Sequence, residues 1–491
     1  MRHYIAIILI ILNFTLNAQT KYNQDLILKS TDKIVKEIEK INQLMGSAVY
    51  ESGIRPHQYD NFDKLKEIAS KEELLELTNY PNGVVRCYAF WALSYDKSVD
   101  LFPILIAHIG DYEVVNTQFG CIGSQEMVGD FFISVATPRY VDLESKKNDS
   151  IQFLTLDSIL IYSDSKLYAK SKAIYRAEPT DYLYPKIREL VVENNDQTAL
   201  ITLAKYRKIE DISLILTNSE KSKFDEGGYY YTYKAIQEFP HPDFIPLLEK
   251  NLYKTLDNTH YSNEWKELYK AIASYKNEKS VELLKVPFTQ VQHENIRTYH
   301  IDFVYSAIQL NKCEIYDSIL WKMWEDENRI SPDIYNYLME RDSLKAYDLT
   351  KKSMLQSDKV YSANINLNFN NLGSTENLTS IMLDEILKRE KNMGIEIIRE
   401  NIKSANVHQF PIFTDKVIEL KDSAFIEPLF NRFEKEWNAH VYLKIAQALL
   451  AYHDENINKR IIKTRKKNKN LNKDWGRVSL DKILKDNNII E

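Results

Sequence analysis

The sequence predicts an all-α chain, an α-solenoid in which helical hairpins stack into an α-α superhelix. Three observations carry that reading. Glycine (12) and proline (13) are scarce among 491 residues, whereas sandwiches and barrels use both freely in their many turns. The chain exceeds the ~250–300 residues at which single cores stop growing, so it forms several domains or an extended array. A helix-turn-helix pattern also returns along it at a fixed period.

The period is clearest mid-chain. Residues 235–239 close an apolar-faced helix, Pro240-His241-Pro242-Asp243 turns, and residues 244–248 open another. The same grammar returns 36 residues later over 271–284, and after a further 36 over 307–320. Each helix carries apolar residues at i, i+3, i+4 and i+7 and cannot bury that stripe alone, so neighbouring hairpins stack. Ala235, Ala271 and Ala307 supply small side chains where helices approach closely. Looser copies lie near 90–101, 203–216, 417–429 and 448–461. Tetratricopeptide units have a similar length, but their Trp, Gly-Tyr and late Pro positions are missing.

From the N-terminus, Arg2 and His3, an apolar run over 4–12 and the small Ala18 ahead of Gln19 read as a signal peptide over 1–18. The run falls short of the ~20 residues a bilayer span needs, and an uncleaved anchor is the alternative. Export to the periplasm or extracellular space is therefore expected, with no integral membrane span. Residues 19–80 read as an N-terminal helical cap, with a polar helix over 26–44 and an irregular loop from Tyr50 to Asp60.

Residues 81–356 read as the repeats. There Pro81-Asn82-Gly83-Val84-Val85-Arg86-Cys87-Tyr88-Ala89-Phe90-Trp91-Ala92-Leu93 resembles a HEAT repeat, whose first helix opens with Val-Arg after a turn and carries alanines on its inner face. Residues 101–109 followed by Asp111-Tyr112-Glu113-Val114-Val115 resemble the second helix and the start of the next unit. Kinship to an exported bacterial member of that family implies a superhelical scaffold and no enzyme activity. An insertion near 139–180 breaks the period: 144–150 reads as an exposed loop, and the apolar Ile159-Leu160-Ile161-Tyr162 as either a strand or a helix end. Residues 357–378, rich in asparagine, read as a linker, and 379–491 as C-terminal helical repeats ending in a basic segment.

Composition narrows the partners. With 64 basic and 70 acidic residues the net charge is −6, which offers no global field for a polyanion and speaks against nucleic acid. The C-terminal cations Lys459, Arg460, Lys463, Arg465, Lys466, Lys467, Lys469, Lys473 and Arg477 form either the polar face of a terminal repeat or a contact to an anionic membrane surface. Only Cys87, Cys121 and Cys313 are present; Cys87 and Cys121 either pair or stay as buried free thiols.

Catalytic signatures are missing: no glycine-rich phosphate loop, paired-Cys motif, His-Glu-x-x-His or Gly-x-Ser-x-Gly. His293 and His300 lack a third ligand, so neither a metal nor a cofactor is expected. Two segments remain as binding candidates. Arg55, His57 and Tyr59 mix a fork-shaped cation, an imidazole and an aromatic on a loop, the alternative being that Arg55 pairs with a local carboxylate and Tyr59 covers a repeat. Tyr229 and Tyr230 belong to a tyrosine cluster in a chain with 32 tyrosines; they supply contact area for a partner or pack into the core.

These readings lead to a scaffold that binds another protein outside the inner membrane. The alternatives are an envelope enzyme or carbohydrate-binding protein with its site near His57, and a protein that neutralises a toxin by tight binding.

Overall fold

The computed structural model describes residues 22–138, 145–218, 228–355 and 378–490. The signal peptide expected over 1–18 lies outside them, as do Glu144 of the expected loop and all but Leu378 of the expected linker. The described chain is mostly helical with little sheet, and it divides into two compact units, Met1–Phe244 and Ile245–Glu491.

In the first unit, α1 (Lys29–Ile41) turns Thr31, Val35 and Ile38 inward and stops where Asn42 takes a left-handed conformation at φ 51°. Leu44, expected inside that helix, instead opens strand β1 (Leu44–Val49). The loop expected to run to Asp60 is shorter, because α2 (His57–Ile68) begins within it. After α3 (Lys71–Leu77) comes α4 (Gly83–Leu93), the segment that carries the family resemblance. Asn82 caps α4 by accepting the N–H groups of Val84 and Val85, and all 11 residues of the helix are buried.

Helix α5 (Leu101–Ala107) leads into β2 (Val114–Gly120), β3 (Ile122–Met127) and α6 (Val128–Ala136). The unit continues through α7 (Ser150–Tyr162), α8 (Tyr168–Arg176), α9 (Tyr184–Val192), α10 (Gln197–Ala204), α11 (Ile212–Thr217) and α12 (Tyr230–Glu238). Around α4 pack α1, α2, α3, α6 and the sheet, and the later helices pack serially, α7 on α8, α9 on α10 and α10 on α12. At the centre the Phe62 ring stacks on Trp91 at 4.7 Å and Phe90 on Phe132 at 4.1 Å.

The mostly helical chain is consistent with the all-α expectation, and the sheet is a small local addition that the sequence reading does not include. Its order is β1-β2-β3, with β1 parallel to β2 and β2 antiparallel to β3 from Val114↔Met127 to Phe119↔Ile122. The helix start expected at Val114-Val115 is thus a strand. Burial alternates from Val114 to Thr117, with Val115 and Thr117 inside and Val114 and Asn116 outside, and Gln118 is buried as well. Gly120, at φ 55°, opens the two-residue loop of a hairpin, a place where glycine bears no Cβ penalty. The Tyr88 hydroxyl accepts the Met45 N–H at 2.8 Å and donates to the Met45 carbonyl at 3.0 Å, so the core helix pins β1. Cys87 and Cys121 do not pair; Cys87 is buried, and Cys121 is exposed in the hairpin loop rather than buried as expected.

The buried Arg86 ties α4 to the chain entering this hairpin. Its Nε and Nη2 donate to Asp111 at 2.8 and 3.0 Å, Nη2 also reaches Glu113 at 2.6 Å, and Nη1 donates to the carbonyls of Tyr80 and Pro81 at 2.7 and 3.0 Å. Asp111 and Glu113 are thereby consumed at the point where a further helix was expected to begin. Ile159-Leu160-Ile161-Tyr162 is the last turn of α7, which settles its strand-or-helix ambiguity as helix.

The second unit is helical throughout its described residues, from Ile245–Thr255 to Asp474–Asp486. Helices pack on near neighbours in sequence: Glu264–Ala273 on Glu294–Leu310, Leu378–Arg389 on Lys391–Ser404, and Ala439–Leu450 on Asp474–Asp486. The repeat alanines are fully buried, Ala235 in the first unit and Ala271 and Ala307 in the second. Tyrosine hydroxyls tie one hairpin turn to another. Tyr316 donates to the Ala273 carbonyl at 2.8 Å and accepts the Lys276 N–H at 3.1 Å, and Tyr452 donates to the Asp422 carbonyl at 2.6 Å. Part of the tyrosine excess therefore serves packing rather than recognition.

Candidate functional site

Arg55, His57 and Tyr59 stand at the entry to α2. Arg55 Nε donates to Asp60 Oδ1 at 2.7 Å, its Nη2 pairs with Asp63, and its guanidinium lies 4.8 Å over the Tyr59 ring. Tyr59 packs edge-on against Phe62 and Trp91 at 5.3 and 6.0 Å, while His57 is exposed. Arg55 is thus occupied by carboxylates of its own segment, and Tyr59 roofs the core. Tyr229 and Tyr230, at the start of α12, meet Tyr233 and Tyr231 at 5.9 and 5.2 Å. Both pairings lie within that one short segment.

A cleft of about 810 Å³ opens instead between β3, α6 and α8. One wall is β3, which pairs only with β2 among the described residues and so leaves its outer backbone edge unpaired. Ile122 at its start is 72% exposed. From the strand wall come Ser124, Gln125 and Glu126. The helical wall presents Tyr168, Lys172 and Arg176 from one face of α8, at i, i+4 and i+8.

Asp130 holds the two walls in register. Its carboxylate, carried by α6, accepts the N–H groups of Tyr168 and Ala169 at 2.9 and 2.8 Å, capping α8 from a separate element. Arg176 forms a fork with Asp157, at 2.6 and 3.1 Å, and covers the Phe153 ring at 4.8 Å. Lys172 Nζ lies 4.8 Å over the Tyr168 ring and makes no ion pair among the described residues.

Glu126 is the perturbed group of the cleft. Burial raises its pKa to about 7 and the Asp130 charge adds to the rise, with Lys172 offsetting part. A carboxyl displaced this far toward neutrality can either donate or accept a hydrogen bond. A shallower recess of about 470 Å³ shares Ser124 and Gln125 with the cleft and is lined with uncharged polar groups that include Asn42, Asn116 and Thr117. The hairpin is therefore flanked by concave, hydrogen-bonding surface.

No family model, curated protein or solved structure matches this chain. Function has to be read from the geometry.

Sequence reasoning missed Glu126, Asp130 and Lys172. Gly120-Cys121 is a local cue to a turn, but neither flanking run, 114–119 or 122–127, alternates apolar with polar residues, so no edge strand was legible. The basic C-terminal run is partly neutralised: Arg460 pairs with Glu427, Lys467 with Glu434 at 2.9 Å and Arg465 with Asp481 at 2.5 Å. Among the described residues no His, Cys, Asp and Glu side chains group so as to hold a metal. His300 is buried, stacked on Trp265 at 4.5 Å with the Tyr269 hydroxyl 2.6 Å from Nδ1. No described helix is long and apolar enough to cross a membrane.

Proposed function

We propose that this chain is an exported HEAT-like repeat scaffold that binds another protein, and that it takes hold of an extended segment of that partner along β3. The open edge of β3 inside a cleft is the observation that carries this reading. An edge strand offers a row of backbone donors and acceptors to an incoming strand, and flanking pockets select its side chains. The two walls carry opposite character, Glu126 on the strand and Lys172 on the helix, with Arg176 already held by Asp157, which suits a polar extended peptide of mixed charge better than an apolar one. Three further features support the scaffold: the serial packing of neighbouring helices, the Val-Arg opening of α4 with Arg86 bonded to Asp111, and the signal-like residues 1–18.

Selection from a displayed library of linear peptides tests it. Binders are expected to lose at least ~10-fold in affinity for the Gln125→Pro variant, because Gln125 faces Asn116 in a non-hydrogen-bonded pair, so proline there removes an outward N–H and crowds an added strand while sparing the β2–β3 bonds. They are also expected to weaken with Lys172→Glu. Binders indifferent to both substitutions would refute docking along β3.

One observation favours a second reading. A glutamate titrating near 7 in a cleft is what an acid-base enzyme would need. Turnover abolished by Glu126→Gln, with peptide binding intact, would favour it over the scaffold.

A further inference from the structure

The second unit holds a separate pocket whose chemistry differs from that of the β3 cleft. It measures about 400 Å³ and lies beside the turn between helices Ile426–Phe433 and Ala439–Leu450. Its lining includes Ser404, Asn431, Lys403, Lys435 and Trp437. Trp437 is 75% exposed. An indole face this open offers a large, rigid contact area to a ligand.

The turn that presents Trp437 is held rigidly. Arg432 donates from Nη1 to the Ile402 carbonyl at 2.9 Å and from Nη2 to the Ala405 carbonyl at 2.8 Å, and its Nε bonds Glu436 at 2.9 Å. Glu436 Oε1 then accepts the backbone N–H groups of Trp437 and Asn438 at 3.0 and 2.9 Å. From the other side, Asn468 Nδ2 donates to the carbonyls of Phe433 and Glu436 at 3.0 and 2.9 Å. Arg432 and Glu436 side chains are only 15% and 10% exposed, so this chain of bonds is shielded from water. A fixed backbone under an exposed indole is a prepared platform, which lowers the ordering cost of binding.

The groups around the platform state what it fits. The flat apolar face of a pyranose ring stacks on an indole, and Asn431 and Ser404 offer donors and acceptors for ring hydroxyls. Lys435 is exposed and makes no ion pair among the described residues. Among the described residues Lys403 pairs with the exposed Glu400, at 2.5 Å, a pairing weak enough in water to exchange for a ligand. Two cations beside an aromatic platform, with the pocket's one carboxylate already held by Arg432, leave room for a negative group.

We infer that this pocket binds an acidic saccharide, with a sugar ring on Trp437 and its carboxylate or sulfate facing Lys435 and Lys403. The inference is independent of the β3 reading, since it rests on the second unit alone.

Isothermal titration of the full chain with three probes tests it: tetragalacturonate, a heparin tetrasaccharide and neutral maltotetraose. At least one acidic probe is expected to bind at least ~10-fold more tightly than maltotetraose and to weaken as salt is raised. Trp437→Ala and Lys435→Glu are each expected to cost at least ~10-fold, with unchanged circular dichroism because both side chains are exposed. Intrinsic fluorescence of the unmutated protein should shift on binding. No acidic probe binding at millimolar concentration would overturn the inference. So would equal affinity for the neutral sugar, or wild-type affinity in Trp437→Ala.

Discussion

Replacing Arg86 by leucine should unfold the first unit far more readily than the change in side-chain volume suggests. Arg86 and Asp111 are 9% and 4% exposed and form a two-bond fork, and Arg86 also satisfies the carbonyls of Tyr80 and Pro81. Arg86→Leu leaves the Asp111 carboxylate buried with two long contacts, His108 Nδ1 at 3.4 Å and the Glu113 N–H at 3.4 Å. Stripping one partner from a buried pair typically costs about 3–5 kcal/mol, and that range is the expected loss. Native-state hydrogen exchange of the α4 amides reads it directly in this unit. Arg86→Leu with Asp111→Leu removes the stranded charge and should recover at least ~1 kcal/mol of the loss. A single variant within ~1 kcal/mol of wild type, or a double variant no better than the single, would refute the reasoning. The pair also fixes a pH dependence. Burial acts against the Asp111 charge, but His108 and Arg86 hold its pKa below the ordinary range. Its contribution is therefore present above the unfolded pKa of ~3.9 and lost as pH falls through the lower folded value.

Three further outcomes follow from single sites. Burial lowers His300 to a pKa of about 4, so its contribution is complete above the unfolded value of ~6.5 and is lost between there and 4, about 3 kcal/mol in all. Urea titrations of the second unit should show that slope in wild type and not in His300→Phe. Glu126, raised to about 7, works the other way: folding is penalised as pH rises from ~4.3 through 7, so Glu126→Gln should stabilise the first unit at pH 8 and do little at pH 4 by thermal melting. A Cβ at Gly476 would lie 1.8 Å from the Tyr442 hydroxyl and 2.8 Å from the Ala439 Cβ. Gly476→Ala should therefore loosen helix Asp474–Asp486, seen as faster exchange of its amides.

What could be read in advance follows from where the information sits. Ala235, Ala271 and Ala307 recur because a close helix contact admits only a small side chain, so the constraint is local and periodic in sequence. The core role of α4 was visible for the same reason. The hairpin was not, since Val114-Val115 reads equally as a helix start and only pairing with Met127 and Glu126 makes it a strand. Arg55 and Tyr59 follow the alternative that the sequence offered for them: Asp60 and Asp63, close by in sequence, occupy Arg55, and the Tyr59 ring packs on the core. Glu126 gave no signal, because its shifted pKa arises from burial and from Asp130, which the turn from β3 into α6 brings near.

Hydrogen exchange across Ile122–Met127 tests the central claim most directly, comparing the protein alone with the protein saturated by a peptide selected for binding. Docking along the open edge of β3 predicts slow exchange of outward-facing β3 amides only when the peptide is present, with Gln125→Pro abolishing the protection. Protection confined to other elements, with β3 exchanging at its free rate, would contradict it.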